Sequence, residues 1–518
     1  MPTPSADHRA DADRPRSSGR SEGSVDAVAA GAPEAAGAPS ATAGPFRPRR
    51  RFAGRPAGAP DAAAAGSAAQ SAVAPDAPGP TDDDAAAVSH AATPAEPGAA
   101  TAAESPAAPS AEAPEPLPLL GRPRDPLAPV VEDERRLVEA ARALAEGHGP
   151  LAIDAERASG YRYGQRAYLV QVRREGAGTW LVDPMACTDL SPIGEAVRDV
   201  EWVIHAATQD LQCLAEVGLS PTSLFDTELG ARLAGLPRAG LGAVVEHYLG
   251  VRLAKEHSAV DWSTRPLPEP WLLYAALDVE LLAELREAMA ADLAAQGKEE
   301  WARQEFAHLV GFTGPAVRTD PWRRTSGLHR VRGRRPLAVV RELWQTRDDL
   351  ARRRDVAPGR LLPDAVLLQV ALAGPATGAD LAAATSHRSI RRSQDVWLAA
   401  VARAQALPEK DLPAATLPSD APPPPRTWAD RDPVAHARLQ DVRAGLTAFS
   451  EQRNVPLENL LTPDTLRRVV WSDLGDAGGD LEAAEEVAAR ALAARGARPW
   501  QVDIAAPLLA QAALAHRG

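Results

Sequence analysis

Leu, Ile, Tyr and Trp are almost absent from the first 118 residues of this 518-residue chain, which consist mainly of Ala, Pro, Gly, Ser and acidic residues. Such a segment cannot bury enough apolar surface to offset chain entropy, so residues 1–118 are expected to be disordered. Cysteine is scarce: Cys187 and Cys213 are the only two. That excludes a disulfide framework and a zinc site of the usual spacing, and both are expected to be small buried hydrophobes. No apolar run reaches membrane-spanning length, and the N-terminus Met1-Pro2-Thr3-Pro4 lacks the charged-then-apolar layout of a signal peptide. The cytoplasm is therefore the expected compartment.

The formal net charge is −12, which taken alone disfavours a nucleic-acid partner, but the distribution matters more than the sum. Phe46 to Arg55 carries Arg47, Arg49, Arg50, Arg51 and Arg55, no acid and two flanking aromatics. It reads as a solvated basic run or, less favoured, a tether for a phosphate backbone. Between Pro321 and Arg360 stand Arg323, Arg324, Arg330, Arg332, Arg334, Arg335, Arg341, Arg347, Arg352, Arg353, Arg354 and Arg360 against Glu342, Asp348, Asp349 and Asp355. That stretch is either a phosphate-binding face or a linker with an ordinary surface helix.

What is present and informative is a set of acids in short apolar contexts. Leu151-Ala152-Ile153 reads as a buried strand, and period-2 alternation puts Asp154 and Glu156 on one side of the chain that follows. Asp210 follows His205-Ala206-Ala207-Thr208-Gln209. Helical periodicity runs from Glu269 to Met289, with Tyr274 and Asp278 at i and i+4 on one face. Taken singly, each has a plain structural reading: a surface pair, a helix cap, a core tyrosine. Together, four carboxylates converging on one point repel unless hard divalent cations neutralise them. Two such ions can activate water and stabilise the leaving oxygen of a phosphodiester.

The order D-x-E, H-A-A-x-Q-D-L and Y-A-x-x-D-V resembles the ribonuclease D branch of the DEDD 3'-to-5' exonucleases, the type with tyrosine in the last motif. The loop Lys255 to Leu267 resembles that family's S-D-W-x-x-R-P-L signature, with Val260 where the signature has Ser and Trp271 where Gln is common. The resemblance implies a ribonuclease-H-like α/β domain and catalytic residues Asp154, Glu156, Asp210, Tyr274 and Asp278. Asp154 would bridge two divalent ions, Mg²⁺ or Mn²⁺. Glu156 and Asp278 would complete the first site, Asp210 would hold the second, and Tyr274 would orient the nucleophile. Gln209, Trp262 and Arg265 become candidate substrate contacts, as does His205, although a structural histidine at a strand end is the better reading there. The implied substrate is RNA, with the 3' ends of transfer RNA precursors or small stable RNAs foremost. A DNA exonuclease or a catalytically weak nucleic-acid-binding scaffold are the alternatives, and no protein partner can be deduced.

Residues 119–300 are read as the catalytic domain. Strands are expected at Ala167–Val172, Thr179–Val182 and Trp202–Ala206, and helices at Leu211–Val217, Glu228–Ala234 and Leu241–Leu249. Residues 301–335 are read as a basic linker. Beyond it, Arg354 to Leu362 aligns with Arg453 to Leu461 at an offset of 99, each copy preceded by an amphipathic pattern: Val340, Leu343 and Leu350 in the first, Leu439, Val442 and Phe449 in the second. These give two all-α domains, 336–410 and 431–518, on either side of a Pro-rich linker at 411–430. They resemble the helicase-and-RNase-D C-terminal (HRDC) domain, which implies a role in holding RNA; the second copy is the more diverged. Because all five catalytic residues precede Pro336, hydrolysis of short strands is expected to be separable from the C-terminal half.

Overall fold

A computed structural model describes residues 116–254, 260–474 and 480–516. The expected disorder of the N-terminal region, its basic run Arg47–Arg55, the start of the loop at Lys255–Ala259 and the Gly475–Gly479 interruption fall outside the described residues, apart from residues 116–118.

The strands in chain order are β1 (Leu119–Leu120), β2 (His148–Arg157), β3 (Ala167–Glu175), β4 (Gly178–Val182), β5 (Trp202–Ile204), β6 (Leu224–Asp226) and β7 (Arg252–Leu253). β1 and β7 form a small parallel pair, and the rest one sheet in the order β4-β3-β2-β5-β6. β2 is its pivot, antiparallel to β3 and parallel to β5. Its run Leu151-Ala152-Ile153 is fully buried, as a strand covered on both faces requires. The helices of this domain are α1 (Glu134–Glu146), α2 (Ser191–Ala196), α3 (Leu211–Ala215), α4 (Thr227–Ala234), α5 (Leu241–Leu249), α6 (Glu269–Glu280), α7 (Leu282–Ala295) and α8 (Glu299–Val310). This is the ribonuclease-H-like α/β arrangement. The expected single helix from Glu269 to Met289 is two, broken at Leu281, which leaves helical geometry at φ −112° and ψ 3°. Leu281 is itself buried, so apolar periodicity continues through the break and conceals it. The fourth expected strand ends at Ile204, because Ala206 turns into left-handed backbone at φ 61°.

The helical half comprises α9 (Arg334–Arg354), α10 (Pro358–Leu361), α11 (Asp364–Ala373), α12 (Gly378–Ala384), α13 (Arg388–Arg392), α14 (Gln394–Ala406), α15 (Trp428–Arg431), α16 (Pro433–Arg453), α17 (Leu457–Leu460), α18 (Pro463–Arg468), α19 (Leu481–Ala494) and α20 (Pro499–Ala515). The repeat is exact in register: α9 and α16 each span 21 residues, and α9–α11 begin 99 residues before α16–α18. Both long helices end on a left-handed residue, Asp355 and Asn454, each at φ 48°, residue types that tolerate this conformation. The copies diverge where α18 passes into a π-helical turn at Val469–Asp473.

Each left-handed turn docks on the α/β domain. In the first repeat, Asp355 accepts from the Tyr163 backbone N–H at 3.3 Å and from Arg166 at 2.9 Å, and Ala357 N–H donates to Tyr161 O at 3.0 Å. These residues form the loop between β2 and β3. In the second repeat, Asn454 Nδ2 donates to Gly235 O at 3.3 Å and Arg453 Nη2 to Gln296 O at 3.2 Å, filling carbonyls at the C-terminal ends of α4 and α7 that no intrahelical N–H reaches. Gly235 has φ 84°, and a Cβ there would lie 2.2 Å from Asn454 Nδ2, so only glycine fits. Buried Lys298 donates to both Leu233 O (2.8 Å) and Asn454 O (3.2 Å). Trp500 stacks on Trp301 at 4.8 Å, Phe449 joins them, and Val455, Leu460 and Trp500 belong to the same apolar core as β2 and α7. The second helical domain has a core of its own and shares Val455, Leu460 and Trp500 with the core of the catalytic domain, which couples the two halves.

Residues 301–335 are likewise no free connector. α8 packs against β6, α4 and α20, and Trp322 and Val331 are buried in the core of the first helical domain. The basic stretch is largely consumed internally. Arg334 and Arg335 bind carbonyls of residues 404–413, Arg347 binds Leu362 O and Asp364, Arg360 binds Gly160 O, and Arg323, Arg341 and Arg352 pair with acids. Arg324, Arg330, Arg332, Arg353 and Arg354 remain exposed. Charge counted along the chain misses this, because it does not say which cations cap helix ends.

Candidate active site

Asp154 and Glu156 project from the same face of β2, where α6 crosses β2, β3 and β4. α6 brings Asp278, and carboxylate oxygens of Asp154, Glu156 and Asp278 lie within 4.8 Å of one another. Tyr274, one helical turn earlier, hydrogen-bonds Asp278 through its hydroxyl. Asp210 arrives by another route: β5 ends, the chain turns left-handed at Ala206, and a 3-10 turn at Ala207–Gln209 delivers it to the start of α3. The buried Asp210 stands outside the tight triplet, with Oδ1 3.4 Å from Arg157 Nε. The contact is an ion pair that lacks hydrogen-bond alignment, and among the described residues this oxygen has no hydrogen-bond partner.

Two residues not singled out from the sequence support this arrangement. Asp226, at the end of β6, accepts from the N–H groups of Ala206 and Ala207 at 3.0 and 2.9 Å and from Glu228 and Leu229 at 2.8 and 3.2 Å. One carboxylate therefore caps α4 and fixes the turn that carries Asp210; only the helix-cap half was visible as an acid before a helical pattern. Burial pushes its carboxyl up to about 6, while the donated N–H bonds pull it down. Gln171 pairs across the sheet with Asp154 and is fully buried, and its two amide atoms have no hydrogen-bond partner among the described residues.

Loss of hydration raises the carboxyls of Asp154, Glu156, Asp210 and Asp278 above their usual range, and mutual repulsion adds to it at Glu156, Asp210 and Asp278. Three carboxylate oxygens within 4.8 Å of one another suit a hard cation that takes oxygen ligands. The sign of the pH dependence follows. Acids raised by folding contribute stability that is present below the ordinary carboxylate range and lost as pH rises through their folded values. Ion-free protein should therefore lose stability at this site as pH rises above the ordinary carboxylate range. Because ions bind only the deprotonated acids, the melting-temperature gain from saturating Mg²⁺ should grow with pH. Paired thermal melts with and without the ion measure this, and a gain that shrinks with pH would contradict the assignment.

The other candidate contacts fare unevenly. Gln209 is exposed beside the site and accepts from Arg157 Nη2 at 3.3 Å. His205 Nδ1 lies 2.9 Å from Thr227 Oγ1, and burial lowers its pKa to about 4, so it is a neutral structural group. Trp262 is fully buried and packs edge-on against Trp271 at 5.6 Å, so it shapes the floor beneath α6 and has no surface to offer substrate. Arg265 spends all five N–H donors on Asp183, Tyr168 O, Trp262 O and Thr264 O. It is a buttress with no donor left for phosphate. A groove of about 550 Å³ lined by Arg122, Arg124, Leu272 and Leu273 runs beside α6, but none of the five motif residues lines it. Both cysteines are buried and free.

Residues 129–294, which contain all five motif residues, match a family model described as 3'-5' exonuclease. Residues 337–401 match the HRDC domain, and residues 421–513 a model described as 3' to 5' exonuclease C-terminal domain. Ribonuclease D of Granulibacter bethesdensis is 34% identical over 292 residues, covering 54% of this chain and 70% of the relative. The chain belongs to the ribonuclease D family. Ribonuclease D of Escherichia coli is 32% identical over 287 residues, covering 54% of this chain and 75% of that one. Its crystal structure, described as an exoribonuclease involved in structured RNA processing, superposes at a TM-score of 0.57 with 25% identity, over 76% of this chain and 100% of that one. A protein from Bifidobacterium adolescentis superposes at 0.69 with 39% identity, over 76% and 99%. This member of the ribonuclease D family is thus a 3'-5' exonuclease, a phosphodiester hydrolase, with an HRDC domain behind its catalytic domain.

Proposed function

We propose that the protein trims RNA from the 3' end to nucleoside 5'-monophosphates, with Asp154, Glu156, Asp210, Tyr274 and Asp278 as its catalytic residues. The observation that carries this is the convergence of Asp154, Glu156 and Asp278 in a triplet within 4.8 Å, in a chain of the ribonuclease D family. Two divalent ions, Mg²⁺ or Mn²⁺, held by Asp154, Glu156 and Asp278 and by Asp154 and Asp210, would supply an activated water and stabilise the leaving oxygen. Burial and neighbouring carboxylates raise the Tyr274 pKa, so its hydroxyl keeps its proton and orients the nucleophile by a hydrogen bond. Arg353 and Arg354 on α9 and Arg388, Arg391 and Arg392 on α13 are exposed and suit an RNA backbone held by the first helical domain. Like the E. coli enzyme, the protein would act on structured RNA, transfer RNA precursors or small stable RNAs being the natural class. No described helix is long and apolar enough to cross a membrane, in keeping with action in the cytoplasm.

The test is a pair of matched 5'-labelled oligomers, RNA and DNA, with and without Mg²⁺. A one-nucleotide ladder from the 3' end on RNA, abolished by chelation, is the expected result; equal or faster cutting of DNA overturns the RNA assignment. In the same single-turnover assay Tyr274→Phe should slow hydrolysis by about 10²–10³-fold, the usual cost of one lost transition-state donor. An unchanged rate would remove Tyr274 from the mechanism.

A further inference from the structure

Arg157 is, among the described residues, the cation named as acting on Asp154, Glu156 and Asp210 alike, and nothing in the chemistry above uses it. It directly follows the D-A-E motif, where simple alternation would turn it to the face opposite Asp154 and Glu156. The ladder between β2 and β3 shifts register at this point: Glu156 pairs with Leu169 but Arg157 with Ala167. Such bulges re-aim side chains beside functional sites. The guanidinium fans its three nitrogens over three groups. Nε faces Asp210 Oδ1 at 3.4 Å, Nη2 donates to Gln209 Oε1 at 3.3 Å, and Nη1 donates to Gln165 Oε1 at 3.4 Å. All three contacts are long, and the side chain keeps 21% of its surface in solvent. A guanidinium suited to paired short bonds with a carboxylate makes none with the described residues, among which the Asp210 oxygen it faces has no hydrogen-bond partner.

We infer that Arg157 is a positioning residue that pins Asp210 as an internal counter-cation until the second divalent ion arrives, and that the ion must displace it. The inference rests on the two-ion reading above. A buried carboxylate needs a compensating charge, and Arg157 supplies one on a weakly bonded side chain with a path to solvent. A divalent ion on Asp210 would meet a like charge within a few ångströms, so the two occupy the place in turn. The cost falls on the second ion, which binds more weakly than the carboxylates alone would allow.

Calorimetric titration of the full chain with Mn²⁺ tests this directly. Wild type should bind two ions in distinguishable steps, and Arg157→Met should tighten the weaker step by about tenfold or more while leaving the stronger step nearer wild type. Ion-free Arg157→Met should also melt below wild type, and saturating Mn²⁺ should recover more of the difference than it adds to wild type. Arg157→Gln, which keeps hydrogen-bonding capacity without the charge, should tighten the weaker step too, and it carries the test if the Met variant does not fold. A weaker step that is unchanged or loosened in a folded charge-free variant overturns the role of Arg157 and leaves the two-ion reading intact. A wild-type protein that binds no second ion overturns both.

Discussion

Asp154→Asn is expected to abolish nucleotide release while the protein stays folded and still binds RNA. The substitution changes almost no volume and removes the carboxylate assigned to both ions. Ion-derived stabilisation of a phosphoryl transition state is worth several kcal/mol, so single-turnover rates should fall by about 10³-fold or more. Stability should move the other way. Asp154 sits among like charges, and burial raises its carboxyl, so a neutral amide relieves a cost that the ion-free wild type carries. Ion-free Asp154→Asn should therefore melt at or above ion-free wild type and gain less from Mg²⁺. Hydrolysis at the wild-type rate would refute the site; loss of activity with a collapsed melting temperature would show a scaffolding defect instead.

Removing residues 336–518 is expected to cost the fold of the catalytic domain, although all five motif residues lie before the cut. The cut takes Trp500 from its stack on Trp301 and from its 2.9 Å bond to the buried Glu305 carboxylate, which also loses Arg498. The cut also opens the apolar surface around Trp301 to water, and loss of a buried tryptophan costs about 3–5 kcal/mol. Lys298 would lose one of its two carbonyls as well. Against a typical domain stability of about 5–15 kcal/mol, the fragment should aggregate on expression or melt far below the full chain. Trp500→Ala in the intact protein isolates part of the effect and should destabilise by about 3–5 kcal/mol in denaturant titration. A soluble fragment with the full chain's melting temperature and short-oligomer activity would show the helical half to be a separable appendage.

The convergence of Asp154, Glu156 and Asp278 was legible from the chain because these residues lie in strongly patterned contexts. Asp154 and Glu156 follow a three-residue buried strand, and Tyr274 and Asp278 share a helix face; both relations follow from backbone periods alone. The long-range geometry was not legible. Nothing local to Asp226 marks it as the anchor of the Ala206 turn, since that role exists only when β5 and β6 lie side by side. Arg157 escaped for a related reason, because a bulge created by its partner strand redirects it. Trp262 and Arg265 stand in a motif loop, yet burial and donor exhaustion make them supports, which depends on neighbours 80 to 100 positions away in the chain. The repeat of 99 residues was visible from Arg354 to Leu362 and its partner, but Phe449, equivalent to a core position in the first copy, faces Trp301 of the catalytic domain instead.

The two docking turns share one backbone and differ in which way their side chains speak. Asp355 can only accept, and it meets an N–H and a guanidinium; Asn454 uses its amide N–H₂ to donate, and it meets a bare carbonyl at a helix end. A duplication that produced two interchangeable modules would have left each free to settle at either berth. A carboxylate in place of Asn454 could not donate to Gly235 O, so the second berth takes the amide, and the polarity of one side chain becomes part of its address. The acidic turn faces the loop that leaves β2, and the amide turn faces the ends of α4 and α7.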